Sequence, residues 1–138
     1  MRTAKVAVEN TAYHFDKAFD YEIPEELETR ALPGCRVLVP FGASGKSRLG
    51  MILSLAGEPE LEKVKKIQTV LDDRPLLSEE FLKMAVWLKE RYFCTLFEAV
   101  KLFLPAGLNL RLARKISLSP FYLFPIESND YHQFLQKW

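Results

Sequence analysis

The chain has 138 residues and a formal net charge of +1; 49% of it is hydrophobic and 27% charged, the composition of a globular protein long enough for one domain with a core and a small appendage. No apolar run approaches the ~20 residues of a membrane span, and the opening Met1-Arg2-Thr3-Ala4-Lys5 has no signal-peptide core behind it. Two cysteines and two histidines at unrelated spacings exclude a zinc site, so a cytoplasmic protein with reduced, buried Cys35 and Cys94 is expected.

Ala4 to Glu9 alternates and predicts a first strand; Asn10 to Lys17 reads as a polar and aromatic loop. Phe19 to Ile23 alternates again, with Phe19, Tyr21 and Ile23 on one face, and Pro24 ends it. A short helical turn is expected at Pro24 to Leu27 and a turn at Leu32-Pro33-Gly34. Cys35 to Val39 is the next strand, and another runs over Leu49 to Leu55. Gly57 to Glu62 is an acidic loop, and Lys65 to Leu71 is the last strand of the group. Short strands at this spacing, with turn chemistry between them, predict a small barrel.

Between two of these strands lies Gly42-Ala43-Ser44-Gly45-Lys46-Ser47, whose end resembles a phosphate-binding loop. Two tests reject that reading. The first glycine of G-x-x-x-x-G-K-[ST] falls on Pro40, and a strand pattern follows where a helix is required. The segment is expected to be a polar hairpin loop that brings Lys46 and Arg48 to a surface turn.

From Asp72 the period changes from two to about four. Ser78 is a candidate N-cap with Glu79 and Glu80 in the first turn, and Leu77 with Leu82 fits a hydrophobic staple. Phe81, Met84, Ala85, Leu88 and Tyr92 fall on one helical face, and Trp87, Tyr92 and Phe93 read as core or helix-packing residues. A second helix is expected near Thr95 to Phe103, stopped by Pro105. After Gly107 come a basic strand or linker over Arg111 to Ser119, aromatics at Phe121 to Phe124, and a last short helix from Asn129 capped by Ser128. The fold class expected is therefore mostly β with helices (α+β).

Charge is uneven along the chain. Residues 1 to 29 are acidic, whereas 30 to 57 and 99 to 126 hold basic residues, Arg36, Arg48 and Lys101 among them, and no acid. Such stretches suit phosphate contacts or an ordinary solvated surface. His14 and His132 have no nucleophile at a telling position, so no catalytic constellation is visible and no enzyme is expected.

Several of these segments, in order and spacing, resemble one family. They are Phe19-Asp20-Tyr21 with Ile23-Pro24, Pro33-Gly34-Cys35-Arg36-Val37, Val39-Pro40-Phe41-Gly42, Leu49-Gly50-Met51-Ile52, Lys65 and Val70-Leu71-Asp72. Trp87-Leu88, Tyr92 and Leu104-Pro105 extend the match. The whole resembles the N-terminal domain of primosomal protein N′, the replication-restart helicases. The resemblance implies an OB-like barrel followed by two packed helices over residues 1–108. It further implies that 109–138 is a linker and the beginning of a winged-helix-like domain, broken off.

The resemblance also implies a task, capture of the leading-strand 3′ end at a stalled fork, with Phe19, Asp20, Gly42 and Lys65 at the family's binding positions. Phe19 offers a ring to the terminal base, and Asp20 accepts hydrogen bonds from a 3′-hydroxyl or base amino group. Gly42 lets backbone come close, and Lys65 neutralises a phosphate. Tyr21 accompanies them on the strand, and Lys46 and Arg48 are expected as auxiliary phosphate contacts. Without the resemblance, Phe19 reads as a core residue, Asp20 as a solvated strand residue, Gly42 as a turn glycine and Lys65 as an edge charge.

The implied partners are DNA and, for the full-length family, single-stranded-DNA-binding protein and primosome loading proteins. ATP, magnesium and zinc belong to family domains not seen in this chain, and no cofactor is expected on it. A protein-docking module without nucleic-acid binding is the competing expectation, carried by Phe121, Tyr122, Phe124 and Trp138.

Overall fold

The computed structural model describes residues 2–57 and 64–108. In chain order the strands are β1 (Thr3–Val8), β2 (Phe19–Glu22), β3 (Arg36–Phe41), β4 (Lys46–Ala56), β5 (Lys65–Lys66) and β6 (Thr69–Val70). Two helices follow, α1 (Glu79–Arg91) and α2 (Leu96–Lys101), and single 3-10 turns sit at Tyr13–Phe15 and Glu25–Leu27. The strands form one sheet in the order β5-β2-β1-β4-β3-β6. It curls into the small barrel, with helices, that the pattern predicts, and the barrel is OB-like as the resemblance implies.

Closure comes from a segment whose predicted form needs correcting. Lys65 to Leu71 is not one strand. Lys65 and Lys66 pair in parallel with Tyr21 and Glu22 of β2, whereas Thr69 and Val70 pair with Leu38 and Val37 of β3. β2 and β3 lie toward opposite edges of the sheet, so these six residues step from one edge to the other. Between them the Ile67 N–H donates to the Glu22 carbonyl and the Gln68 N–H to the Leu38 carbonyl. Ile67 and Val70 both enter the barrel interior. Their spacing of three is incompatible with one face of a regular strand, so the segment must bend.

The barrel interior is filled by Ala4, Val6, Val8, Tyr21, Ile23, Val37, Val39 and Ile52, with Ile67 and Val70. A second apolar layer lies on the outside of β1 and β4, where Ala7, Leu49 and Met51 meet Leu77, Leu82, Ala85, Leu96, Phe97 and Val100 of the helical part. Strands buried on both faces read as near-continuous apolar runs, which accounts for Met51-Ile52-Leu53. β4 is longer than predicted. It starts at Lys46, which pairs with Phe41, so Lys46, Ser47 and Arg48 belong to the ladder and only Gly42 to Gly45 form the loop.

Gly50 is required by packing: a Cβ there would lie 2.6 Å from Val6 Cγ1 and 3.1 Å from the Ala7 carbonyl oxygen. Gly34 (φ +87) is required twice over, since a Cβ would fall 2.1 Å from the Leu77 carbonyl oxygen.

The helices depart from expectation in three ways. α1 packs through Leu82 and Ala85, with Leu88 half-buried, whereas Phe81, Met84 and Tyr92 of the predicted face are exposed. Trp87 and Phe93, expected as packing residues, are 47% and 93% exposed. Two apolar stripes run along α1 about one position apart, and the one with the smaller side chains, Leu82 and Ala85, is buried in the apolar layer shared with α2, which in turn packs on β1 and β4. Ser78 occupies the N-cap position of α1, but its side chain makes no capping hydrogen bond. α2 is shorter than expected and is capped by a box: Thr95 Oγ1 accepts from the Glu98 N–H, and the Glu98 carboxylate accepts from the Thr95 N–H at 2.7 Å. Cys35 is buried but Cys94 only partly so, and both are free thiols. Burial pushes the Cys35 thiol above its usual pKa. The expectations for 109–138 lie outside the described residues, as does most of the acidic loop.

Candidate functional site

The curl that closes the barrel sets β2 against the end of β3, and a cleft of about 330 Å³ opens between them. One wall is Lys17, Ala18, Phe19, Asp20 and Tyr21; the other is Pro40, Phe41 and Gly42, with Val64 and Lys65 along one side. Three contacts cross the gap. The Phe19 and Phe41 rings meet edge to face at 5.1 Å. The Tyr21 hydroxyl donates to the Pro40 carbonyl at 3.1 Å. The Lys65 ammonium donates to the Gly42 carbonyl at 2.6 Å.

The structure therefore brings Phe19, Asp20, Tyr21, Gly42 and Lys65 into one cleft. Phe19 is half-buried, as a residue that packs on one side and presents the other. Tyr21 is buried, and burial raises its phenol to about 12 although the Arg48 charge opposes the shift. Asp20 is not a solvated strand residue. Its register partner across β1 is Lys5, whose ammonium lies 3.1 Å from Asp20 Oδ1, and its side chain is largely buried. Gly42 has φ +68, and a Cβ there would meet nothing within 4 Å. The left-handed backbone, not crowding, selects glycine, and the space above it is open.

Lys46 and Arg48 are outside the cleft lining. Lys46 is exposed beside Phe41 on the hairpin. The Arg48 guanidinium stacks on Phe41 at 4.6 Å from the ring centroid, and its Nη1 donates to the Asn10 carbonyl at 2.8 Å and the Glu9 carbonyl at 3.4 Å. It holds the hairpin to the loop before β2. Lining residues that sequence reasoning passed over are Lys17, beside the Phe19-Asp20-Tyr21 run, and Phe41, inside the quoted Val39-Pro40-Phe41-Gly42. Their order was visible; their meeting across the sheet edges was not.

Ion pairing redraws the charge map. Acids of the first 29 residues are neutralised by bases from elsewhere: Glu9 by Lys101 (2.8 Å), Asp16 by Lys89 (2.9 Å) and Glu22 by Lys66 (3.1 Å). Arg36, in the acid-free stretch, is buried against Asp72, and Arg30 reaches Asp73 at 2.9 Å. Arg36 and Lys101 are thus structural pairs, not a basic patch. Among the described residues the cations with no carboxylate at ion-pair distance include Lys17, Lys46, Arg48 and Lys65, and these four gather at the cleft or on its hairpin. Positive charge without a counter-charge beside a cleft attracts an anion. Among the described residues no cluster of His, Cys, Asp and Glu could hold a metal, and no helix is long and apolar enough to cross a membrane.

A model of the 3′DNA-binding domain (3′BD) of PriA matches residues 5–105. The replication restart protein PriA of Bacillus subtilis is 29% identical over 119 residues, covering 86% of this chain and 15% of that protein. The protein of the same name from Chlamydia trachomatis is 32% identical over 98 residues, 67% of this chain and 13% of the relative. A probable replication restart protein PriA of Mycobacterium tuberculosis is 30% identical over 108 residues, 78% and 16%. The chain thus spans about one-seventh of the length of the curated relatives it matches.

Proposed function

Since the chain belongs to the family of PriA 3′DNA-binding domains, we propose that its cleft captures the free 3′ end of a DNA strand and that it serves replication restart as a binding module, without catalysis of its own. The observation that carries this is the meeting of Phe19, Asp20, Gly42 and Lys65 in one cleft flanked by cations that have no carboxylate partner among the described residues. The terminal base stacks on Phe19, a contact that tolerates any base. The exposed Gly42 backbone lets the sugar come close. Lys65, held by the Gly42 carbonyl, and Lys17 face the phosphate that links the last two nucleotides. Asp20 supplies the discrimination. A carboxylate accepts a hydrogen bond from a 3′-hydroxyl and repels a 3′-phosphate.

Affinity from one nucleotide is modest, at ~1–3 kcal/mol of stacking per base. In a longer protein other DNA-binding segments add to it through effective concentration. The fork as target, the leading strand as the captured strand, and single-stranded-DNA-binding protein and primosome loading proteins as partners are parts of the same proposal.

The test is fluorescence anisotropy with a short single strand ending in a 3′-hydroxyl or a 3′-phosphate, with wild type and Asp20→Ala. The hydroxyl end binds better to wild type, and Asp20→Ala abolishes the difference. Affinity falls with added salt because phosphates are contacted. Equal binding of both ends by wild type refutes end capture, and salt-independent binding points to a protein partner instead.

A further inference from the structure

We propose that the outer surface of loop 10–17 and the C-terminal end of α1 form a stacking track for the single-stranded nucleotides that precede the captured end. This rests on the cleft reading above. The track begins at Lys17, which lines the cleft, has its ammonium 6.0 Å from the Phe19 ring centroid and has no carboxylate partner among the described residues. Just before it, the 3-10 turn Tyr13–Phe15 buries none of its residues, and Tyr13 and Phe15 are each 48% exposed. The Tyr13 ring meets Phe93 at 5.7 Å, and Phe93 is 93% exposed. The surface continues to Tyr92 and Trp87, with the Arg91 guanidinium 5.3 Å from the Trp87 centroid.

The fold gains little from rings held this far in solvent, and clustered exposed rings mark an interaction surface. Their support is rigid. Asp16, directly behind the turn, is buried and accepts from Thr11 Oγ1, from the Leu96 N–H at 2.7 Å and from Lys89 at 2.9 Å. The Asn10 carbonyl is tied to Arg48. The loop is therefore ordered before a ligand arrives, so little ordering entropy is lost on binding. Aromatic faces interleaved with Lys17 and Arg91 suit bases joined by phosphates, and the surface is continuous with the cleft through residues 15–19. A paired duplex offers no base faces to such rings, so at a fork the track takes the last nucleotides of the captured strand where they are unpaired from the template.

The test compares a dinucleotide, titrated by NMR, with an oligonucleotide of about 12 nucleotides, titrated by anisotropy, both ending in a 3′-hydroxyl. The proteins are wild type and the double variant Tyr13→Ala, Phe93→Ser; both positions are surface ones, and matching circular dichroism melts establish that the variant folds. Wild type gains affinity with length, and the variant loses about tenfold of that gain while binding the dinucleotide as wild type does. A length gain that survives in the variant, or its absence in wild type, overturns the track and leaves the rings to a protein partner. The longer strand is also tested with a 3′-phosphate. If wild type ignores that change, the cleft reading fails, and the direction of the track fails with it, whatever the rings do.

Discussion

Asp72 and Asp73 are neighbours of the same type, each paired with an arginine, and they differ only in where the fold puts them. Asp72 and Arg36 are both 7% exposed in their side chains. Arg36 Nη2 donates to Asp72 Oδ1 at 2.6 Å, Nε donates to both oxygens at 3.2 and 3.0 Å, and the Arg36 backbone N–H donates to Oδ2 at 2.8 Å. Nη1 donates to the Leu108 carbonyl at 2.8 Å, so the arginine ties β3 to the end of the described chain. Asp72→Ala strands a buried guanidinium, which costs about 3–5 kcal/mol. Against a total stability of about 5–15 kcal/mol, that is a large part of what keeps the domain folded. Asp73 is 97% exposed and Arg30 44%, so Asp73→Ala stays within about 0.5 kcal/mol of wild type. Urea unfolding reads both, as a large fall in midpoint for the first and almost none for the second, at equal slope. Replacing both partners, Arg36→Met with Asp72→Leu, recovers most of the loss because no lone charge is left buried. A cost below about 1 kcal/mol for Asp72→Ala, or equal costs for the two aspartates, refutes the argument that burial sets the value of the pair.

Asp16→Ala removes the acceptor shared by Thr11, Leu96 and Lys89 and leaves Lys89 without its counter-charge; it costs about 3 kcal/mol, and hydrogen exchange rises in α2 before it rises in β1. Gly42→Ala costs about 1–2 kcal/mol through its left-handed φ, whereas Gly42→Asn costs less; thermal melts of the two variants separate a conformational cost from a steric one. Tyr21 links stability to alkaline pH. Its folded pKa is raised from 10.0 to about 12 by burial, so its contribution is intact below pH 10 and is lost as pH rises toward 12. That loss is about 1.4 kcal/mol per unit, and Tyr21→Phe flattens stability against pH over this window. A tyrosinate titration in which all five tyrosines ionise near pH 10 would falsify it.

Local chemistry was legible along most of the chain. Alternation marked β1 and β2, short apolar runs between turn signals marked β3 and β4, proline and glycine marked the turns, and the change of period at Asp72 marked the helical part, because backbone periodicity is written residue by residue. The Thr95–Glu98 capping box of α2 was passed over, although its spacing is local. The residues of the candidate site became visible only as a resemblance, since nothing local separates Phe19 from an ordinary core phenylalanine.

What the sequence alone determined is therefore the class of fold, the order of its elements and the failure of Gly45-Lys46-Ser47 as a phosphate loop. Tertiary structure decided the rest. The two-way pairing of Lys65 to Val70 closes the barrel and sets β2 against Phe41. The choice between two offset stripes on α1 exposes Trp87 and Phe93. Partners as distant as Arg36 and Asp72, or Glu9 and Lys101, convert apparent charge patches into structural pairs. The physical reason is common to all three: each depends on which surfaces meet when the sheet curls, and that is a property of the closed chain, not of any window along it.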